Sequence, residues 1–197
     1  ASSAFYGNKR IQSVFFPKGL RKVNNEAFYD CKRLVTVTLP EGVEELGHAC
    51  FKGSGIRNLK LPKSLKSIGH ASFAQCKNIT ELVIPEGVET LELDAFANCT
   101  NMKKIELPST LKTISRGVFW YCESLEEVTI PAGVETIGEY VFYHCDSLKH
   151  VYNYSPNPQN LSVIFNRTDI TLHVPANSVE KYQKAAHWNT LTIVGDL

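Results

Sequence analysis

Short runs of alternating apolar and polar residues recur along this chain, and most are closed by a proline. The clearest lies in "VFWYCESLEEVTIPAGVETIG", from Val118 to Gly138, where Val128 and Ile130 are apolar and Glu127 and Thr129 are polar. Alternation with a period of two predicts a strand buried on one face. The same pattern places Val14, Val37, Leu59, Leu82, Ile105, Val128 and Val151 inward on successive strands. Each is followed by a second inward residue: Phe16, Leu39, Leu61, Ile84, Leu107, Ile130 and Asn153.

These runs are copies of one unit. Phe5, Phe28, Phe51, Phe73, Phe96, Phe119, Phe142 and Phe165 are spaced 23, 23, 22, 23, 23, 23 and 23 residues apart. Pro17, Pro40, Pro62, Pro85, Pro108 and Pro131 keep the same beat. Such a period is too short for a helical hairpin repeat and suits a coil made of one short strand and a compact return. The chain is therefore expected to form a solenoid whose strands stack into a parallel sheet, about 4.8 Å apart.

Stacking gives meaning to the charges. Arg21, Glu44, Lys66, Glu89, Lys112 and Glu135 occupy one repeat position and alternate in sign. Like charges facing each other across neighbouring coils are destabilising, so the alternation is expected to fix register. Each exposed pair contributes no more than about 1 kcal/mol.

The unit, approximately I-G-x-x-A-F-x-x-C-x-x-L-x-x-V-x-I-P, resembles the BspA-like leucine-rich-repeat family over nearly the whole chain. The ending "TLHVPANSVEKYQKAAHWNTLTIVG", from Thr171 to Gly195, is similar to that family's terminal unit. The resemblance implies an α/β leucine-rich-repeat right-handed solenoid. It would carry a parallel β-sheet on one face, short turns or helical pieces on the other, and a C-terminal cap. It also implies a place on exported or surface-anchored proteins, often linked to adhesion. Residues 1–151 are expected to form the solenoid and 152–197 its terminal repeat and cap. In that cap, Ser178 would start a helix carrying Val179, Tyr182 and Ala186, with Trp188 beyond it.

Composition adds limits. A formal net charge of +1 creates no field for nucleic acid or an acidic substrate. No stretch is long and apolar enough for a membrane span, and no signal peptide opens the chain. Ala4 and Phe5 already fill a repeat slot, so further repeats or another domain are expected at the N-terminus. Extracellular or cell-surface placement follows from the resemblance alone.

Six cysteines invite a disulfide framework, but Cys31, Cys76, Cys99, Cys122 and Cys145 each stand three residues after the register phenylalanine. Thiols in that line are expected to fill the core and donate to backbone carbonyls, not to converge on a metal. Cys50 takes the small-residue slot. His48 and His70 share a slot in adjacent coils and are expected to stack or be solvated. No nucleophile elbow, phosphate loop or zinc-protease motif occurs, so neither an enzyme nor a cofactor is expected.

Binding is the remaining class, and two surfaces are candidates. On the sheet, the outward columns contain Lys60, Lys104, Glu106, Glu127 and Tyr152. On the return segment, Trp120 with Tyr121 and Tyr143 with His144 replace the Ala74–Gln75 and Ala97–Asn98 pairs of earlier coils. Exposed aromatics there would stack on sugar rings or anchor a partner protein, whereas buried ones would pack against the cap. A host or cell-surface protein or glycan is the expected partner. The rival expectation is a structural spacer with no ligand of its own.

Overall fold

The computed structural model describes residues 2–197, and the repeat is visible in every coil. The predicted strands form the first parallel ladder. It includes Thr36–Thr38, Asn58–Lys60, Glu81–Val83, Lys104–Glu106, Glu127–Ile130 and His150–Asn153. Its register joins equivalent residues of neighbouring coils, as in Leu82 with Ile105 and Val128 with Val151. Pairing is interrupted after Asn58–Lys60 and after Lys104–Glu106, so this face consists of three parallel segments.

A second parallel ladder was not expected. It runs without a break through Lys22–Val23, Glu45–Leu46, Ser67–Ile68, Thr90–Leu91, Thr113–Ile114 and Thr136–Ile137. Each strand has two residues, one of them a buried apolar anchor such as Leu46 or Ile114. The return of each coil is thus partly strand, and among the described residues no coil before the terminal unit contains a helix.

The third side is a turn that also bonds from coil to coil. Asp94, Phe96 and Asn98 donate their N–H groups to the carbonyls of Arg116, Val118 and Trp120 at 3.1, 3.0 and 2.6 Å. The intervening Ala97 donates within its own coil to Asp94 O at 3.0 Å. This alternation puts two residues per coil into left-handed backbone, one two positions before the register phenylalanine and one two positions after it. Asp94 and Asn98 (φ 54° and 60°) occupy these places around Phe96.

Inside, the phenylalanines form one continuous stack from Phe5 to Phe165, with centroids 5.2–5.9 Å apart. Offset stacking of this kind adds to the burial of each ring. Phe5, on the first coil, stays 41% exposed, whereas Phe28 through Phe142 are buried. Beside this stack, the thiols of Cys76, Cys99, Cys122 and Cys145 donate to the carbonyls of Phe51, Phe73, Phe96 and Phe119 at 3.1–3.3 Å. All six cysteines are free and buried.

The charge column is only partly realised. Arg21 and Glu44 pair at 2.8 Å and Lys112 and Glu135 at 3.9 Å. Lys22 and Glu45, in the adjacent column, also pair.

At the C-terminus, Asn153 ends the apolar ladder, buried, with its amide donating to Gln159 Oε1 at 2.9 Å. Tyr182 and Trp188 are buried in the core's final layer. Two expectations about this unit need correction. Ser178 makes no side-chain cap, because its hydroxyl donates to Pro156 O at 3.1 Å. The helix spans Val179–Lys184, so Ala186 lies beyond it and is exposed.

Candidate functional site

The return-segment aromatics come together on the turn side. Trp120 meets Tyr121 edge to face at 5.0 Å, and Tyr121 stacks on His144 at 4.3 Å with 21° between the planes. Tyr143 meets His144 at 4.9 Å and Tyr140 at 5.4 Å, both nearly perpendicular. The Arg116 guanidinium lies 5.5 Å from the Tyr140 ring centroid, within cation–π range. Five aromatic side chains and one arginine therefore form a continuous patch over two coils.

Packing against the terminal coil accounts for one edge only. Asn166 Oδ1 accepts from the His144 N–H at 2.8 Å, and Tyr143 borders a groove formed with residues 163–168. Trp120, at the other end, remains 39% exposed. Tyr154 stands exposed just past the strand His150–Asn153.

The side chains carried on left-handed backbone set this patch apart from the rest of the turn face. Its left-handed positions two after the phenylalanine hold Gly7, Asp30, Gly53, Gln75 and Asn98 in earlier coils, then Tyr121 (φ 58°) and His144 (φ 60°). Tyr140 (φ 58°) occupies the other left-handed position. Glycine, asparagine, aspartate and histidine enter this region readily, whereas a tyrosine does so at a cost of about 1–2 kcal/mol.

A cleft of about 360 Å³ opens within the patch, lined by Asp94, Arg116, Gly117, Trp120, Tyr140 and Tyr143. Asp94, Arg116 and Gly117 do not stand out in the sequence. These residues lie about one repeat apart along the chain, and only the stacking of coils brings them together.

The sheet-face candidates are divided between separate clefts: Lys104, Glu106 and Glu127 line one of about 370 Å³, and Lys60 lines another of about 620 Å³ with Glu81, Val83 and Glu86. Lys104 and Glu106 pair with each other at 2.9 Å along one strand, and that hydrogen bond holds the lysine's pKa above its usual value. Glu127 lies beside His150 in the register, and Lys60 stands on the separate segment that ends at Asn58–Lys60. Tyr152 stacks on His173 at 4.4 Å. His173 Nδ1 contacts Asp196 Oδ2 at 2.8 Å, and its Nε2 faces His150 Nδ1 at 3.1 Å. His48 and His70 meet edge to face at 4.8 Å. Among the described residues, no three metal-ligating side chains converge.

Comparison with known proteins agrees with this architecture. The model of the BspA type leucine rich repeat region matches in six copies over residues 1–95 and 68–194. The chain belongs to that family. A solved leucine-rich-repeat protein of T. pallidum is similar at 28% identity, with a TM-score of 0.64, over 70% of this chain and 78% of that one. The pneumococcal vaccine antigen PcpA is similar at 20% identity and a TM-score of 0.55, with 100% and 65% of the two chains covered. A leucine-rich-repeat protein from Bacteroides ovatus matches at 18% identity and a TM-score of 0.53, over 89% and 58%. The latter two likenesses concern the fold, and this chain spans under two thirds of each. A search of curated proteins finds no match. No helix among the described residues is long and apolar enough to cross a membrane.

A solenoid of this family is an interaction or scaffold module. Its repeated coils build a rigid surface on which a few positions vary.

Proposed function

We propose that this protein is a non-catalytic binding module, secreted or displayed at the cell surface, that recognises a protein or glycan partner through the aromatic patch of its turn face. One observation carries the reading. Tyr121 and Tyr140 hold left-handed backbone in a single patch beside His144, at positions where other coils carry smaller or more tolerant residues. The left-handed turn recurs from coil to coil, with Glu26, Ala49, Ala71 and Gln75 among its residues, so what marks this patch is the gathering of bulky aromatic side chains at those positions. The exposed Trp120 and the half-buried tyrosines beside it also supply contact area at low entropic cost.

The sheet face is the lesser candidate, since Lys104 and Glu106 neutralise each other there. The similarity to a pneumococcal vaccine antigen supports a surface location. The test is binding to a panel of matrix proteins and glycans. Trp120→Ala/Tyr143→Ala is expected to abolish a hit that Lys60→Ala/Lys104→Ala leaves intact. Absence of any binding by the folded wild type would favour a spacer instead.

A further inference from the structure

The position two before each register phenylalanine from Phe5 to Phe142 is held in turn by Ser3, Glu26, Ala49, Ala71, Asp94, Gly117 and Tyr140, all in left-handed backbone. Gly117 is the one member of this column without a side chain. Coils stack about 4.8 Å apart, so the backbones of Asp94 and Tyr140 stand roughly 10 Å apart with no Gly117 side chain between them. A Cβ placed on Gly117 would lie 2.2 Å from Asp94 Oδ1. The carboxylate therefore leans over the glycine and forms the floor of a notch. Trp120, Tyr140 and Tyr143 wall it, and Arg116 lies on the Tyr140 ring.

We propose that this notch binds one neutral pyranose ring of a glycan. The inference rests on the reading of the patch as the partner-binding surface and names the chemistry of its ligand.

Charge and satisfaction of polar groups select that class. Asp94 faces His70 at 4.0 Å instead of bridging to Arg116, so the notch offers a carboxylate acceptor and a guanidinium donor separately. An anion meets Asp94, and a cation meets Arg116. An apolar side chain from a protein would desolvate both groups without pairing either. A sugar ring uses all of the lining. Its hydroxyls donate to Asp94 and accept from Arg116, while its C–H face lies on Trp120 or Tyr143. The volume of about 360 Å³ lies at the small end of ligand sites, as a single ring requires.

The experiment titrates the intact chain with the methyl glycosides of glucose, galactose, mannose and N-acetylglucosamine, using saturation-transfer NMR and tryptophan fluorescence. At least one glycoside is expected to bind. Its affinity should fall about tenfold or more in Trp120→Ala and in Asp94→Asn, and stay unchanged in Lys60→Ala/Lys104→Ala. Thermal unfolding of each variant separates loss of binding from loss of fold. Binding that survives both Trp120→Ala and Asp94→Asn would overturn the proposal. So would the absence of any pyranoside binding. If a protein ligand then still bound in a Trp120-dependent way, the patch would remain the interaction surface and only its glycan chemistry would be rejected. If nothing bound, both readings would fall together.

Discussion

The Tyr121 ring lies over the His144 ring at 4.3 Å, and both residues sit in left-handed backbone one coil apart. The stack offsets part of the backbone cost at Tyr121. It also fixes two ring faces beside Trp120 and Tyr143, where a partner can reach them.

Strain of this kind makes stability and binding separable. Asn98 occupies the Tyr121 position one coil earlier, with φ 60°. Tyr121→Asn is therefore expected to raise unfolding stability by about 0.5–1 kcal/mol while weakening partner binding. Urea denaturation checks the first effect and titration with the partner the second. A variant that loses both stability and binding would show that the stack outweighs the backbone cost.

The phenylalanine stack should be energetically uneven. Phe96 is fully enclosed between Phe73 and Phe119, whereas Phe5 has one neighbour and is 41% exposed. Phe96→Ala is expected to cost about 3–5 kcal/mol, and Phe5→Ala clearly less, by urea denaturation of the two variants.

Most of the fold was legible because Phe, Pro and Cys recur at fixed spacing, and repetition multiplies a weak local signal. The second ladder was hidden because strands such as Glu45–Leu46 are too short to show an alternation. The left-handed positions were hidden because the backbone there is imposed by bonds between coils, as from Asn98 to Trp120, and not by residue type. Trp120, Tyr121, Tyr143 and His144 could be picked out as departures from the repeat. The cleft could not, since Asp94, Gly117 and Tyr140 look unrelated until the coils are stacked. The His150, His173 and Asp196 chain was missed for the same reason.

The buried thiols predict the response to alkali. Burial raises the pKa of Cys76 to about 11 and that of Cys145 to about 12, and pushes Cys50, Cys99 and Cys122 upward as well. In the unfolded chain these thiols ionise near their ordinary value of about 9. Above that pH the unfolded state holds fewer protons than the folded state. The associated stability is therefore complete below about pH 9 and is lost as pH rises towards the folded values, at about 1.4 kcal/mol per pH unit for each thiol. Cys99→Ala should remove one thiol's share of this slope. Equal slopes in urea unfolding of the variant and the wild type between pH 9 and 10 would contradict the prediction.

Charge alternation should act on register more than on stability. Glu44→Lys would place three cations in line with Arg21 and Lys66 and remove the Arg21–Glu44 pair. The expected cost is no more than about 1 kcal/mol, and it should shrink in high salt. Thermal unfolding at low and high ionic strength measures it.

The most direct test of the account is binding of the intact chain to a panel of matrix proteins and glycans, beside Trp120→Ala/Tyr143→Ala and Lys60→Ala/Lys104→Ala variants matched for thermal stability. The account predicts a partner lost in the first variant and retained in the second. A partner retained by the first and lost by the second would move the site to the sheet face and contradict it.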